Sequence, residues 1–256
     1  MNRAIYPVLS GALAQERSLQ VFSNNIANVN TPGFKQDQQG FRAVMSRRIA
    51  GPAPVPGVHT LAHHITMMPA GPSERVYAAP HFSRTTFETG RARITSNPLD
   101  VAIQGDGFFE VKTPHGIRYT RNGMFSLDNK RRLVTNTGLP VMGTKGEITV
   151  PSGTIHINGV GEIQVDGKTV GALKVLEFAE HEMPAKSEDG LFAGGKGKVM
   201  AHPMLQHGHV EESNVNALGE MVKMIQGMRS YESAQKMIQT IDRMSEVAIQ
   251  DVGRVL

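Results

Sequence analysis

Ser23-Asn24-Asn25-Ile26-Ala27-Asn28-Val29-Asn30-Thr31-Pro32-Gly33-Phe34-Lys35 is where this chain stops being a helix. Asn24, Asn25 and Asn28 are weak helix formers, and Pro32 disfavours helical geometry at Thr31. Pro32-Gly33 suits the central pair of a type II turn, because proline presets the first φ and glycine accepts the positive second one. Upstream, Ile5, Val8, Ala12, Leu19, Phe22, Ile26 and Val29 recur at three- and four-residue steps, interrupted at Gln15. That spacing predicts an amphipathic helix from Asn2 to Val29. At ~1.5 Å per residue it extends about 40 Å, more than packing inside a small domain requires.

Downstream of Phe34 the period disappears. Residues 35–80 are rich in Pro, Gly and Ala, as in Gly51-Pro52-Ala53-Pro54-Val55-Pro56-Gly57, and read as an extended or disordered linker. From about Phe82 short β-type runs alternate with Gly, Asn and Asp, so residues 81–205 are expected to form an all-β domain. Gly105-Asp106-Gly107 separates Val101-Ala102-Ile103 from Phe108-Phe109-Glu110-Val111. Asn122-Gly123 and Asp166-Gly167 are two-residue hairpin signals. Residues 206–256 then form a second linker and a helix, its period returning at Asn214 and running through Leu218, Met221, Ile225, Met228, Tyr231, Ala234, Ile238, Ile241, Ala248 and Val252. Ser213 or Asn214 is the expected N-cap. Glu220, Lys223, Arg229 and Glu232 fall mostly off the apolar stripe. The predicted class is α+β, a central β-domain flanked by long terminal helices.

Composition narrows the function. The 256 residues hold no cysteine, so disulfides and thiolate chemistry are absent. The 27 basic and 23 acidic residues nearly cancel, and aromatics are only 5% with no tryptophan, which argues against stacking on nucleic acid. No apolar run approaches the length of a membrane span. Met1-Asn2-Arg3 leads into Ser10, Gln15, Glu16 and Arg17 rather than an apolar core, so no cleavable secretory signal is predicted.

Catalytic patterns fail on inspection. Gly190-Leu191-Phe192-Ala193-Gly194-Gly195-Lys196-Gly197 imitates a phosphate loop but ends in Gly where magnesium binding requires Ser or Thr. His59, His63 and His64, and likewise His202, His207 and His209, lack the acidic partner of a zinc helix and read as solvated histidines. Asp100 and Asp106 could suggest a carboxylate pair of a cell-wall-active hydrolase, but Asp is common at turns. No cofactor or metal is expected.

Three stretches together resemble one family. Ser23 to Lys35 is similar to the N-terminal signature of flagellar rod and hook proteins. Asn97-Pro98-Leu99-Asp100-Val101-Ala102-Ile103-Gln104-Gly105-Asp106-Gly107-Phe108-Phe109, with Tyr119-Thr120-Arg121-Asn122-Gly123-Met124-Phe125-Ser126-Leu127-Asp128, resembles their central domain. Glu212-Ser213-Asn214-Val215-Asn216, Glu220-Met221-Val222 and Arg229-Ser230-Tyr231-Glu232 resemble their C-terminal signature. Within the family, Asn2-Arg3-Ala4-Ile5-Tyr6 and Ser10-Gly11-Ala12 are most similar to proximal rod members, with distal rod members next.

The resemblance implies a structural axial subunit rather than an enzyme. It implies export through the flagellar type III apparatus without a cleaved signal, and a place in the rod crossing the periplasm. It also implies that the terminal helices pair in a coiled-coil inner core against other rod subunits and further copies of the chain. The expected assembly positions are Ile5, Val8, Ala12, Leu19, Phe22, Asn24, Asn25, Ile26, Asn28 and Val29 at the N-terminal end. At the C-terminal end they are Leu218, Met221, Ile225, Met228, Tyr231, Ile238, Ile241, Ala248 and Val252. Thr31, Pro32, Gly33 and Phe34 form the signature turn. Asn24, Asn25 and Asn28 are expected to hydrogen-bond across subunit contacts and set register, as a buried Asn does in coiled coils. Met221, Met224, Met228, Met237 and Met244 read either as plain core or as contacts that adapt between non-equivalent neighbours.

Overall fold

The computed structural model describes residues 5–45, 76–179, 182–187 and 190–253. Helix α1 (Ile5–Ala27) is followed by β1 (Asp37–Met45) and β2 (Val76–Thr85). Next come β3 (Ala92–Ile94), β4 (Val101–Ile103), β5 (Phe108–Thr113), β6 (Gly116–Thr120), β7 (Phe125–Leu127), β8 (Leu133–Thr135), β9 (Met142–Gly143) and β10 (Gly146–Glu147). Then β11 (Ile155–Ile157), β12 (Glu162–Val165), β13 (Lys168–Ala172), β14 (Val175–Glu177), β15 (Ala185–Lys186), β16 (Phe192–Ala193) and β17 (Lys198–Val199) follow. Strands β18 (Leu205–His207) and β19 (His209–Glu211) precede helix α2 (Ala217–Gly253). The chain is α+β, mostly strand with a helix toward each end.

These elements divide into two units. The larger takes in the described residues among 22–38 and 84–221. Its main sheet has the order β15-β16-β6-β5-β14-β17, with β11-β12-β13 forming a smaller sheet. The remaining strands pair as β7-β8, β9-β10, β4-β18 and β3-β19. Strand β5 shows why the unit holds: its first four residues are buried, because both of its faces are covered. Phe109 points into a core with Val101, Phe125, Leu133, Val141, Val150 and Ile163, and its ring meets Phe125 edge-on at 5.1 Å. Phe108 points the other way, into an aromatic cluster with Phe178 and Phe192, both at 5.4 Å.

In the smaller unit, α1 and α2 come together where α2 lacks a side chain. A Cβ at Gly227 would lie 2.9 Å from Leu19 Cδ2 and 2.8 Å from Gln15 Nε2. Ala12 and Ala14 are buried in the same unit.

Local signals translated well into local structure. Phe34 N donates to Thr31 O at 3.2 Å and Gly33 has φ +71°, which is the type II turn expected at Pro32-Gly33. Asp166 and Gly167, with φ of 47° and 79°, join β12 to β13 in register Val165 to Lys168. Both positive φ values match the twist of the strands they connect.

Other expectations need correction. The linker reading fails at both ends, since β1 and β2 pair with one another; residues 46–75, including His59, His63 and His64, lie outside the described residues. Strand structure runs on past residue 205 to Glu211, where β19 pairs with β3. Asn122-Gly123 is not a hairpin: β6 pairs with β5 and β16, whereas β7 pairs with β8. Gly123 is needed for close approach, because a Cβ there would lie 1.7 Å from Val101 O. Helix α2 begins at Ala217 rather than Asn214, and its cap is Asn216, whose Oδ1 accepts from Gly219 N at 3.1 Å. Gly194 and Gly195 lie at positive φ after β16, and the next element is strand β17 rather than a helix.

Candidate functional site

The signature turn leads into a buried charge cluster. Gly33 packs so tightly that a Cβ would fall 2.4 Å from Asn122 N, and its own N–H donates to Glu211 O at 2.8 Å. The chain then places Lys35 inside the larger unit with no exposed surface. Lys35 Nζ donates to Glu211 Oε1 and to Glu88 O, both at 2.7 Å. Glu211 Oε1 also accepts from Gly90 N at 2.8 Å. Arg121 Nη1 faces Glu211 Oε2 at 3.4 Å as an ion pair without hydrogen-bond geometry. Arg121 Nη2 donates to Gly105 O at 2.7 Å, and its guanidinium lies over the Phe108 ring at 5.4 Å.

Arg121 and Glu211 are each only 2% exposed, so two cations share one carboxylate away from water. Burial disfavours the charged forms of the two cations. It pushes Lys35 below its ordinary value of 10.5, opposed by Glu211 and reinforced by Arg121. Burial also lowers Arg121, while Glu211 and Asp106 oppose that shift.

Around this cluster the two helix roots are tied to the strands by polar contacts. Phe34 is buried under Lys186 Nζ, 3.7 Å from its ring centre. Lys186 Nζ donates to Lys35 O at 2.9 Å and to Asp37 Oδ2 at 2.8 Å. Asn214 Oδ1 accepts from Gln36 N at 2.7 Å, and its Nδ2 donates to Thr86 O at 2.9 Å and Glu88 O at 3.1 Å. Asn25 Nδ2 donates to Glu220 Oε2 at 3.0 Å and Asp37 O at 2.9 Å, while its Oδ1 accepts from Asp37 N at 3.0 Å.

The expected site residues fall into distinct groups. Ala12 and Asn25 are buried; Ile5, Val8, Leu19, Phe22, Ile26, Asn28 and Val29 are half-buried, and Asn24 is exposed. On α2, Tyr231, Ile238 and Ile241 are half-buried, whereas Leu218, Met221, Ile225, Met228 and Ala248 are exposed. The side chain of Val252 lies outside the described residues. In the turn, Gly33 and Phe34 are buried, Pro32 is half-buried and Thr31 is exposed.

Two of the three asparagines use their amides within the chain. Asn25 has its amide engaged within the chain. Asn28 Nδ2 donates to Asn24 O at 2.9 Å and its Oδ1 accepts from Thr31 Oγ1 at 3.1 Å, closing the end of α1. The plain-core reading of the methionines is also corrected within this chain, since Met221, Met228, Met237 and Met244 are exposed and only Met224 is half-buried. Glu220, expected among the charged residues mostly off the apolar stripe, is 1% exposed.

Sequence reasoning missed Lys35, Arg121 and Glu211 as a set. Charged residues are ordinarily exposed, and a partner 176 residues away leaves no local spacing to read. Asp100 is buried and accepts from Asn97 Nδ2 at 2.9 Å, whereas Asp106 sits on an exposed loop. Among the described residues no group of three potential metal ligands converges, and no helix is long and apolar enough to cross a membrane.

Lys35 and Arg121 lie in two of the stretches that resembled one family and Glu211 immediately precedes the third, and comparison with known proteins bears on each stretch. Residues 5–35 match the family described as flagella basal body rod protein. Residues 102–167 match the flagellar hook protein FlgE/F/G D1 domain, and residues 206–251 the flagellar basal body rod FlgEFG protein C-terminal region. The chain is 34% identical to the flagellar basal-body rod protein FlgG of Buchnera aphidicola subsp. Schizaphis graminum, over 92% of this chain and 94% of that protein. It is 32% identical to FlgG of Bacillus subtilis, over 94% and 96%. It is 33% identical to the flagellar basal-body rod protein FlgF of Escherichia coli K12, over 94% and 95%. The chain belongs to the flagellar basal-body rod protein family. It is a structural rod subunit of the bacterial flagellum, not an enzyme.

Proposed function

We propose that this subunit assembles through its terminal helices, which pair as a coiled coil and present a second apolar face to neighbouring rod subunits and to further copies of the chain. The least exposed positions of α2 support the pairing. Glu220, Met224, Gly227, Tyr231, Ala234, Ile238, Ile241 and Ser245 follow alternating steps of four and three, the spacing of a coiled-coil seam. Ile5, Val8, Ala12, Gln15, Leu19, Phe22 and Ile26 do the same on α1. The observation that carries assembly is what lies off this seam. Leu218 and Ile249 are each 73% exposed, with Met221, Val222, Ile225, Met228, Met237, Met244 and Val247 also open, and Tyr6, Leu9 and Leu13 on α1. Apolar surface of this extent marks a protein interface, and covering it gains roughly 25 cal/mol per Å² before ordering costs.

In the rod, such repeated contacts transmit torque while the β-strands supply stiff mass. The exposed methionines adapt one helix face to neighbours that are not equivalent. The subunit reaches the rod through the flagellar type III apparatus, and the rod crosses the periplasm. Its opening, Asn2-Arg3-Ala4-Ile5-Tyr6 with Ser10-Gly11-Ala12, supports a place in the proximal rod. Relatives under both rod names match with overlapping identity, so complementation decides the place. The chain is expected to restore swimming to a strain lacking the proximal subunit and not to one lacking the distal subunit. The reverse result assigns it to the distal rod.

A further inference from the structure

We propose that the Lys35–Glu211–Arg121 cluster is a releasable clasp, which lets residues 28–38 and 211–220 open together while the β core stays closed. The inference does not depend on how subunits assemble. Two kinds of seam hold the larger unit. The apolar cores draw on β4 through β18 and contain no residue from either helix root. The roots bury only Phe34 and Val215 of their own apolar residues, outside those cores, and their polar ties are Gly33 N to Glu211 O, Gln36 N to Asn214 Oδ1, Asn25 to Glu220 and Lys35 to Glu211.

The clasp is also electrically uneven, because one buried carboxylate answers two buried cations. Arg121 Nε, Arg121 Nη1 and Glu211 Oε2 make no hydrogen bond among the described residues. Asp106, on the exposed loop whose Gly105 O accepts from Arg121, is a further counter-charge and favours the charged forms of both cations. Opening returns all of these groups to water, which offsets much of the Coulomb attraction lost. The apolar cores gain nothing comparable by opening, so local release is the lower path. Glu211 is the keystone of this arrangement. Without its charge two cations remain buried together, whereas without Lys35 one cation still faces one carboxylate.

Hydrogen exchange on the full chain tests the clasp. Its amides at Gly33, Gln36, Asp37 and Gly90 are expected to exchange at least about tenfold faster than Leu133, Val141 and Val150 of the core. Lys35 in the unmodified protein is expected to react with an amine-acylating ester at the rate of that same opening. Glu211→Gln should raise clasp exchange at least about a hundredfold while core rates stay within about threefold. Lys35→Met should raise exchange at Gln36 and Gly90 by less than about tenfold. Exchange of both amide sets in one transition, or Lys35→Met as disruptive as Glu211→Gln, overturns the proposal. If Glu211→Gln does not fold, the unmodified chain and Lys35→Met decide between these outcomes.

Discussion

Asn25 on α1 and Glu220 on α2 meet at 3.0 Å, 195 residues apart in the chain, and both are buried. Asn25→Ala removes a donor to Glu220 and Asp37 O and an acceptor for Asp37 N, leaving buried polar atoms unsatisfied. The expected loss is about 1–3 kcal/mol, or about 2–12 °C in melting temperature for a chain of this size. Asn25→Asp should be worse, because it sets one carboxylate against another in a dry site. Differential scanning calorimetry of the two variants gives the order.

Two glycines separate steric need from backbone need. Gly123→Ala places a Cβ 1.7 Å from the Val101 carbonyl oxygen, a rigid backbone atom that cannot step aside. Gly105 has φ +85° but nothing near its missing side chain. Gly105→Ala should therefore cost only about 1–2 kcal/mol of left-handed strain, and Gly123→Ala clearly more. Urea unfolding curves with equal slopes would give both values.

Lys35 should leave a signature at alkaline pH. Its folded value lies below 10.5, so the folded protein loses that proton before the unfolded chain does. Its contribution is present above 10.5 and is lost as pH falls through the folded value, so stability rises with pH across that window. Tyr119 works against it. Burial first and Glu110 second raise its phenol above 10.0, so its contribution is lost as pH rises through the folded value. Comparing the protein with Lys35→Met cancels the tyrosine, and the unfolding free energy of the unmodified chain should climb relative to the variant as pH approaches 10.5.

What could be read from sequence was what local chemistry determines. The helix period, the Pro32-Gly33 turn and the Asp166-Gly167 hairpin each depend on neighbours a few residues away. Gly123 looked like a turn because a glycine required for close approach carries the same letter as one required for positive φ. Asn214 and Asn216 are equally good caps by residue type, and only the long-range contacts of Asn214 with Gln36, Thr86 and Glu88 take it away from the helix. Strand β1 was hidden because Asp37-Gln38-Gln39-Gly40 has no apolar alternation. The buried cluster was illegible for a deeper reason. The charges of Lys35, Arg121 and Glu211 become favourable only once three distant segments have already met.

Charge placed on the outward face of α2 should leave the single chain intact. Leu218→Asp and Ile225→Asp change exposed positions, so folding stability should move by no more than about 0.5 kcal/mol. Both should nonetheless block incorporation into the rod, read as loss of swimming with normal amounts of soluble protein. Loss of the folded chain itself would place those side chains in an internal core instead.

The claim that neighbours cover this face is tested most directly by peroxide footprinting of Met221, Met228, Met237 and Met244 in the soluble chain and in isolated rods, read by mass spectrometry. The thioethers are exposed in the single chain and should oxidise readily there. The account predicts that assembled subunits protect Met221 and Met228 at least about tenfold. Equal oxidation of all four methionines in soluble chain and assembled rod would contradict it.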